Sequence, residues 1–195
     1  MSEPALPESA TAGRSGRRLA PFVSLGVAAV VAALFVVLAN SKADKPDVTS
    51  SFLYGKPAPA VVSTTLDGKA FDLSRRKGSW VVLNFFQSTC LPCKAEHPEL
   101  VAFAAQQAGI ADGAELYTVI KDDPDAAVAK WFADNGGDWP IVKDDDGSIA
   151  TAFGVAKVPE TWIIDPSGVV VSRIATTITA DFLATDLAQL RQAYG

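Results

Sequence analysis

Cysteine and histidine are scarce in this sequence, and their scarcity excludes several kinds of protein. Among the 195 residues only Cys90 and Cys93 are cysteines, and His97 is the single histidine. Two cysteines cannot form the disulfide framework of a small secreted scaffold, and with one histidine they cannot provide a four-ligand zinc site. Because no cysteine directly follows the apolar N-terminal stretch, we do not expect a lipid-anchored lipoprotein. The two thiols therefore either act together or have no function.

Basic residues are also few, which argues against a nucleic-acid partner. Three arginines and two glutamates precede residue 40, so residues 40–195 carry 14 basic and 20 acidic side chains, a net charge of −6. Binding to nucleic acid requires clustered lysine and arginine, and this part of the chain has no such cluster. We interpret the acidic runs at 122–123 and 144–146 as solvated loop charges.

The N-terminal region predicts a single membrane anchor. Residues 1–18 are rich in small and polar residues, end in a basic cluster (Arg14, Arg17 and Arg18), and are predicted to form a disordered cytoplasmic tail. Residues 19–39 contain no charge, and 21 residues in a helix cover about 31 Å, the thickness of a bilayer core. The positive-inside rule places the arginines in the cytoplasm, so the rest of the chain is expected on the extracytoplasmic side of the membrane.

A cleaved signal peptide is the alternative interpretation of the same segment. Val37 and Ala39 would suit cleavage before Asn40. Cleavable apolar regions usually extend over only about 7–15 residues, so a retained anchor is favoured. Both interpretations predict the same compartment, with a polar linker at 40–51 and one domain at 52–195.

Patterns of strand and helix alternate along the domain, which predicts an α/β fold with a central mixed sheet flanked by helices. A helix near residue 124 is expected to have Asp123 as its cap and Pro124 as its first residue, and to end at Gly136. The predicted strands are Trp80–Phe86, Glu115–Ile120, Thr161–Ile164 and Val169–Ile174, and the other predicted helices are Leu91–Gln107 and a last one from Thr179.

Cys90 and Cys93 form a C-x-x-C pair where a buried strand gives way to a helix. Unpaired amides and the helix dipole at such a position favour the thiolate anion, the reactive form of cysteine. Pro92 is tolerated because the first-turn N–H groups have no partner within the helix. The spacing lets Cys93 reach back one turn, so we predict a small, reversible disulfide.

Residues 83–100 (LNFFQSTCLPCKAEHPEL) resemble the active-site region of thioredoxin-fold proteins, and Val158-Pro159-Glu160-Thr161 resembles their cis-proline loop. With GKPAP at 55–59, Glu96, KDDP at 121–124, an inserted helix through Trp131 and FGVAKVPETWIIDPSG at 153–168, the chain is similar to the membrane-anchored thioredoxin-like proteins of cytochrome c maturation, known as CcmG, DsbE, ResA or TlpA. The resemblance implies a thioredoxin fold with an N-terminal extension and a central helical insertion.

The resemblance also implies roles for individual residues. Cys90 would be the attacking thiolate and Cys93 the resolving thiol, while Val158, Pro159 and Glu160 would form the face that docks the substrate. Glu96 matches an acidic residue of the active-site helix that would oppose formation of the Cys93 thiolate; alternatively it is a solvated helix residue. Two positions differ from thioredoxins. Asn84 stands where thioredoxins have a buried aspartate; it would either support the active site or merely satisfy local backbone groups. Thr89 stands where many of them have a tryptophan.

The implied function is reduction of a disulfide in apocytochrome c, with a membrane thiol-electron transporter as reductant and no cofactor or metal beyond the Cys90–Cys93 disulfide. A general extracytoplasmic thiol reductase or oxidant is the main alternative. A peroxiredoxin would need threonine where Gln87 stands. A copper-delivery module would add His97 to the two cysteines, but its place between Glu96 and a proline argues against this.

Overall fold

The computed structural model describes residues 20–40 and 51–194, which belong to two separate compact units. The first contains one helix, α1 (Ala20–Asn40), formed by the charge-free segment. Across the residues that the structure describes, no helix has both the length and the apolarity needed to cross a membrane. The anchor at 19–39 and the domain boundaries therefore stay predictions. The predicted tail at 1–18 and all but the ends of the predicted linker lie outside the described residues.

The second unit is built on a five-stranded mixed sheet. The strand order is β5-β4-β3-β6-β7; β3 is parallel to β4 and antiparallel to β6, β4 is parallel to β5, and β6 and β7 form an antiparallel hairpin. A separate hairpin, β1–β2, precedes the sheet. The strands are β1 (Val62–Thr64), β2 (Ala70–Asp72), β3 (Val81–Phe86), β4 (Glu115–Ile120), β5 (Ile141–Val142), β6 (Glu160–Ile164) and β7 (Val170–Ile174).

Helices cover both faces of this sheet because its central strands are apolar on both sides. All six residues of β3 are buried. The helices are α2 (Leu91–Ala108), α3 (Asp125–Asn135), α4 (Ser148–Phe153) and α5 (Ala180–Tyr194). On one face Val82 and Phe86 pack with residues of α2, α3 and α5, and on the other face Leu83 and Phe85 pack with α4 and the β1–β2 hairpin. The predicted mixed sheet flanked by helices is confirmed.

The sequence did not predict β1, β2, β5, α4 or the 3₁₀ turn Leu73–Arg76, which are two to six residues long. The predicted cap of α3 is also wrong. Its first residue is Asp125, Pro124 precedes it without a side-chain cap, and the carboxylate of Asp123 instead accepts hydrogen bonds from the backbone N–H and hydroxyl of Ser88. The carboxylate that was expected to cap α3 is therefore bound by Ser88, which lies 35 residues earlier in the chain.

The acidic run at 144–146 is not simply a set of solvated charges. Asp144 is buried, and its two carboxylate oxygens accept hydrogen bonds from the N–H groups of Ile149 and Ala150, both at 2.9 Å. These are first-turn amides of α4 that have no partner within the helix. Asp144 therefore holds α4 in place, although Asp145 and Asp146 are exposed as predicted.

We predict that Asp144→Ala lowers the free energy of unfolding by about 2 kcal/mol, because two buried N–H groups lose their acceptor. Urea unfolding followed by tryptophan fluorescence measures this, since all four tryptophans lie in the second unit. Asp145→Ala is the matched control and should change stability by less than about 0.5 kcal/mol, because its carboxylate is exposed and pairs only with Lys143. Equal losses in the two variants would refute the capping role.

Candidate active site

The two cysteines lie at the junction between β3 and α2 and are joined by a disulfide. Cys90 is the N-cap residue of α2, and its sulfur lies 3.2 Å from the backbone N of Cys93, which donates to it. Pro92 occupies the first turn, as predicted. Cys90 is partly exposed whereas Cys93 is only 2% exposed. An incoming molecule can therefore reach the sulfur of Cys90 but not that of Cys93.

The loop before β6 faces this disulfide. The Val158–Pro159 peptide bond is cis, as the resemblance implied, and the carbonyl oxygen of Val158 lies 3.6 Å from Cys90 Sγ. Among the described residues the backbone N–H of Val158 has no hydrogen-bond partner. An extended chain that approaches Cys90 therefore meets a free donor next to the sulfur, the arrangement needed to pair with the backbone of a substrate.

Glu96 lies one helical turn after Cys93 and is buried, so it is not the solvated helix residue considered above. Its Oε1 accepts a hydrogen bond from Asn84 Nδ2 at 2.7 Å, and its Oε2 accepts one from the backbone N of Ile178 at 2.9 Å. Burial raises the pKa of Glu96 to about 7, while the two N–H donors act in the opposite direction. A carboxyl group that changes charge near neutral pH therefore stands behind the disulfide.

Asn84 does more than satisfy local backbone groups. Its amide donates to the carboxylate of Glu96 and, at 3.1 Å, to the hydroxyl of Thr161 on β6. Because β3 pairs with β6 with Asn84 opposite Thr161, one amide links the active-site helix to the strand that follows the cis-proline. Neither Thr161 nor the amide of Ile178 could be recognised in the sequence as part of this network, because both are distant along the chain.

Glu160 directly follows the cis-proline, but its carboxylate is occupied within the protein. It is buried and accepts two hydrogen bonds from Arg173 on β7, at 3.0 and 2.9 Å. This carboxylate is therefore not free to contact a substrate. Glu160 can contribute to docking only indirectly, by holding Pro159 in position. The sequence signal for this pair was an arginine within the mostly apolar strand at residues 170–174, because buried charges are nearly always paired.

His97 is buried and serves as a packing residue. Its Nε2 lies 2.8 Å from the carbonyl oxygen of Gly136, and its ring is surrounded by the rings of Phe86, Trp131, Phe132 and Trp139. Burial lowers the pKa of His97, which favours its neutral form. In the part of the chain that the structure describes, no cluster of three or more His, Cys, Asp or Glu side chains could hold a metal ion.

We predict that replacing Glu96 by glutamine makes stability less dependent on pH. The pKa of Glu96 rises from 4.5 to about 7 on folding, so its contribution to stability is fully present below about pH 4.5 and is lost as pH rises through about 7. The loss amounts to about 3 kcal/mol. The stability of oxidised Glu96→Gln relative to the unmodified protein should therefore improve by about this amount between pH 4.5 and pH 8, measured by urea unfolding. A constant difference across this range would contradict the assignment.

Comparison with known proteins agrees with this geometry. The chain is 33% identical over 154 residues to a thiol:disulfide interchange protein DsbE homolog of Paracoccus denitrificans, covering 77% of this chain and 82% of the relative. It is 32% identical over 133 residues to the thiol–disulfide oxidoreductase ResA of Bacillus subtilis, covering 66% and 71%. Its structure matches the thioredoxin domain of a thiol–disulfide oxidoreductase from Bacteroides vulgatus with a TM-score of 0.62 at 22% identity, covering 72% and 99%, which confirms the thioredoxin fold. Residues 54–173 match the AhpC/TSA family. The chain therefore belongs to the AhpC/TSA family of thioredoxin-like proteins and is a thiol–disulfide oxidoreductase related to DsbE and ResA.

Proposed function

We propose that this chain reduces the disulfide of apocytochrome c during cytochrome c maturation. In this proposal residues 19–39 anchor it in the bacterial cytoplasmic membrane, the domain works on the extracytoplasmic side, and a membrane thiol-electron transporter re-reduces it. The observation that carries the proposal is the partly exposed Cys90, whose sulfur faces Val158, with Cys93 and the acidic Glu96 buried behind it. The names of its relatives support a role in thiol–disulfide exchange.

The reaction proceeds in two exchange steps. The Cys90 thiolate attacks one sulfur of the substrate disulfide; that bond breaks, and the other substrate sulfur leaves as a thiolate that takes a proton from solvent. Cys93 then gives up its proton and attacks Cys90 Sγ, which breaks the mixed disulfide and releases the second substrate thiol. Two electrons pass to the substrate, and the Cys90–Cys93 disulfide forms.

The burial of Cys93 and Glu96 fits this order of events. A buried sulfur can react with Cys90 in the same chain but is screened from a second substrate molecule. Glu96 stands one turn from Cys93, and a carboxyl group with a pKa near 7 can accept the proton that Cys93 loses. Once ionised, it disfavours a persistent Cys93 thiolate, so the reduced form is less stable and the pair becomes a stronger reductant.

Trapping tests the substrate directly. In Cys93→Ser the second step is blocked, so the mixed disulfide with Cys90 should accumulate in cells and can be identified by mass spectrometry. We expect apocytochrome c as the partner. Trapped partners that exclude apocytochrome c would favour the general thiol reductase instead.

Cys90→Ser is the matched control for the trapping experiment. It should form no adduct and should lose more than about 100-fold of the reduction rate of insulin and of apocytochrome c, because the nucleophile is gone. If Cys90→Ser still reduced insulin or apocytochrome c, the mechanism would be refuted. A copper-delivery role would instead require a tight Cu(I) site in the reduced protein, which equilibrium dialysis measures.

A second prediction concerns the reduction potential. A reductant should have a potential well below about −150 mV, whereas a strong oxidant lies near −120 mV. Glu96→Gln should raise the potential by up to about 30 mV at pH 8, because the repulsion of the Cys93 thiolate is removed. Equilibration with glutathione or dithiothreitol buffers measures both values. A potential near that of strong oxidants would contradict the reductant role, and a downward shift in the variant would contradict the effect assigned to Glu96.

A further inference from the structure

A groove of about 420 Å³ lies beside the disulfide, in the size range of ligand clefts. Cys90 and Val158 form part of its wall, together with Lys121 from the segment after β4 and Lys157 from the loop before β6. The Val158 carbonyl lies 3.6 Å from Cys90 Sγ. A substrate segment that brings its disulfide to Cys90 and pairs with Val158 therefore places its neighbouring side chains in or over this groove.

The charges in the groove are unbalanced. Lys121 forms an ion pair with Asp122, which also lines the groove, so these two charges largely cancel. Lys157 is exposed, and within residues 20–40 and 51–194 its ammonium group has no ion-pair or hydrogen-bond partner. The groove therefore carries one uncompensated positive charge next to the reactive sulfur.

Some cations of the domain are already paired, whereas Lys157, like Lys56 and Lys77, has no carboxylate partner among the described residues. Lys143 is paired with Asp125 and Asp145, Lys130 is paired with an aspartate one turn along its helix, and Arg173 is paired with Glu160. Acidic side chains outnumber basic ones in residues 40–195, so carboxylates are abundant as partners. No carboxylate within the described residues 51–194 pairs with Lys157, which leaves its charge available to a bound molecule.

We propose that this groove binds acidic side chains that flank the cysteine under attack, with Lys157 as the specificity-determining residue. The chain then reduces disulfides flanked by aspartate or glutamate faster than those flanked by lysine or arginine. This inference rests on the proposed reductase function and adds a substrate class to it. An exposed pair of opposite charges changes an equilibrium by about 1.5- to fivefold, and replacing attraction by repulsion changes it further.

The geometry at Asp122 provides a variant with the opposite effect. Its φ is +49°, and its backbone carbonyl accepts a hydrogen bond from Gln87 Nε2 at 2.9 Å. Asparagine tolerates this left-handed conformation well, so Asp122→Asn removes a carboxylate and keeps the loop. It frees Lys121 from its partner and should make the groove more positive.

The experiment uses the reduced full chain in a non-ionic detergent and three synthetic peptides, each with one intramolecular disulfide. The peptides differ only in the residues flanking their cysteines, which are Asp, Asn or Lys. We expect the Asp peptide to be reduced about fivefold faster than the Lys peptide at about 20 mM salt, and the preference to shrink at 500 mM as the charges are screened. The change of this ratio between variants isolates docking, because each peptide has the same intrinsic reactivity in every assay and a change in Cys90 reactivity affects all three peptides alike.

The variants should move this ratio in both directions. Lys157→Gln should lower it about threefold and Lys157→Glu should lower it further, whereas Asp122→Asn should raise it about threefold. Lys77→Glu is the control, since it makes the same charge change at an exposed site before β3, about 20 Å away at the other end of that strand. It should leave the ratio unchanged.

Three outcomes separate the failure of this inference from failure of the proposed function. If the Asn peptide is reduced in a Cys90-dependent way but the Asp and Lys peptides react at equal rates, only the groove proposal is overturned. Equal effects of Lys157→Glu and Lys77→Glu would overturn it as well, because net charge would then explain the preference. If no peptide is reduced, the reductase function itself fails.

Discussion

The buried carboxylate of Glu96 is the interaction on which the arrangement of the active site depends. It belongs to α2, and it accepts one hydrogen bond from Asn84 on β3 and one from Ile178, just before α5. Asn84 also bonds Thr161 on β6. Glu96 therefore connects the helix that carries both cysteines to the central strand and to the start of the last helix. Through Asn84 it is also connected to the strand after the cis-proline. Burying a carboxylate is costly unless its oxygens are bonded, and here both are.

The cis-proline loop is held from both faces of the sheet. Successive residues of a strand point to opposite faces, so Glu160 and Thr161 extend in opposite directions. Thr161 is bonded to Asn84 on the face of the active-site helix, while Glu160 is paired with Arg173 on the other face. These two attachments fix the start of β6 directly after Pro159. The distance between Val158 and Cys90 is thereby set by the sheet itself, and the docking edge is ready before a substrate arrives.

The sequence predicted those parts of the fold whose signals are local. Buried strands such as β3 are near-continuous apolar runs, and the C-x-x-C pair lies at the strand–helix junction that the pattern indicated. β5 and α4 escaped prediction because each is too short to show a period, and α4 depends on Asp144, whose role is visible only in three dimensions. The same holds for the site. Cys90, Cys93 and Pro159 were recognisable from motif and resemblance, whereas the Glu160–Arg173 pair and the groove lysines meet only through the fold.

Net charge illustrates a further limit of reasoning from composition. An excess of acidic residues in residues 40–195 suggests that this domain repels acidic partners. At physiological ionic strength, however, screening confines an exposed charge to about 8 Å, so a bound segment responds to the charges beside it rather than to the sum over the domain. Among the residues that line the groove beside Cys90, those charges are Lys121, Asp122 and the unpaired Lys157. The groove therefore favours acidic neighbours of the substrate cysteine, which is opposite to the preference that the total charge would predict.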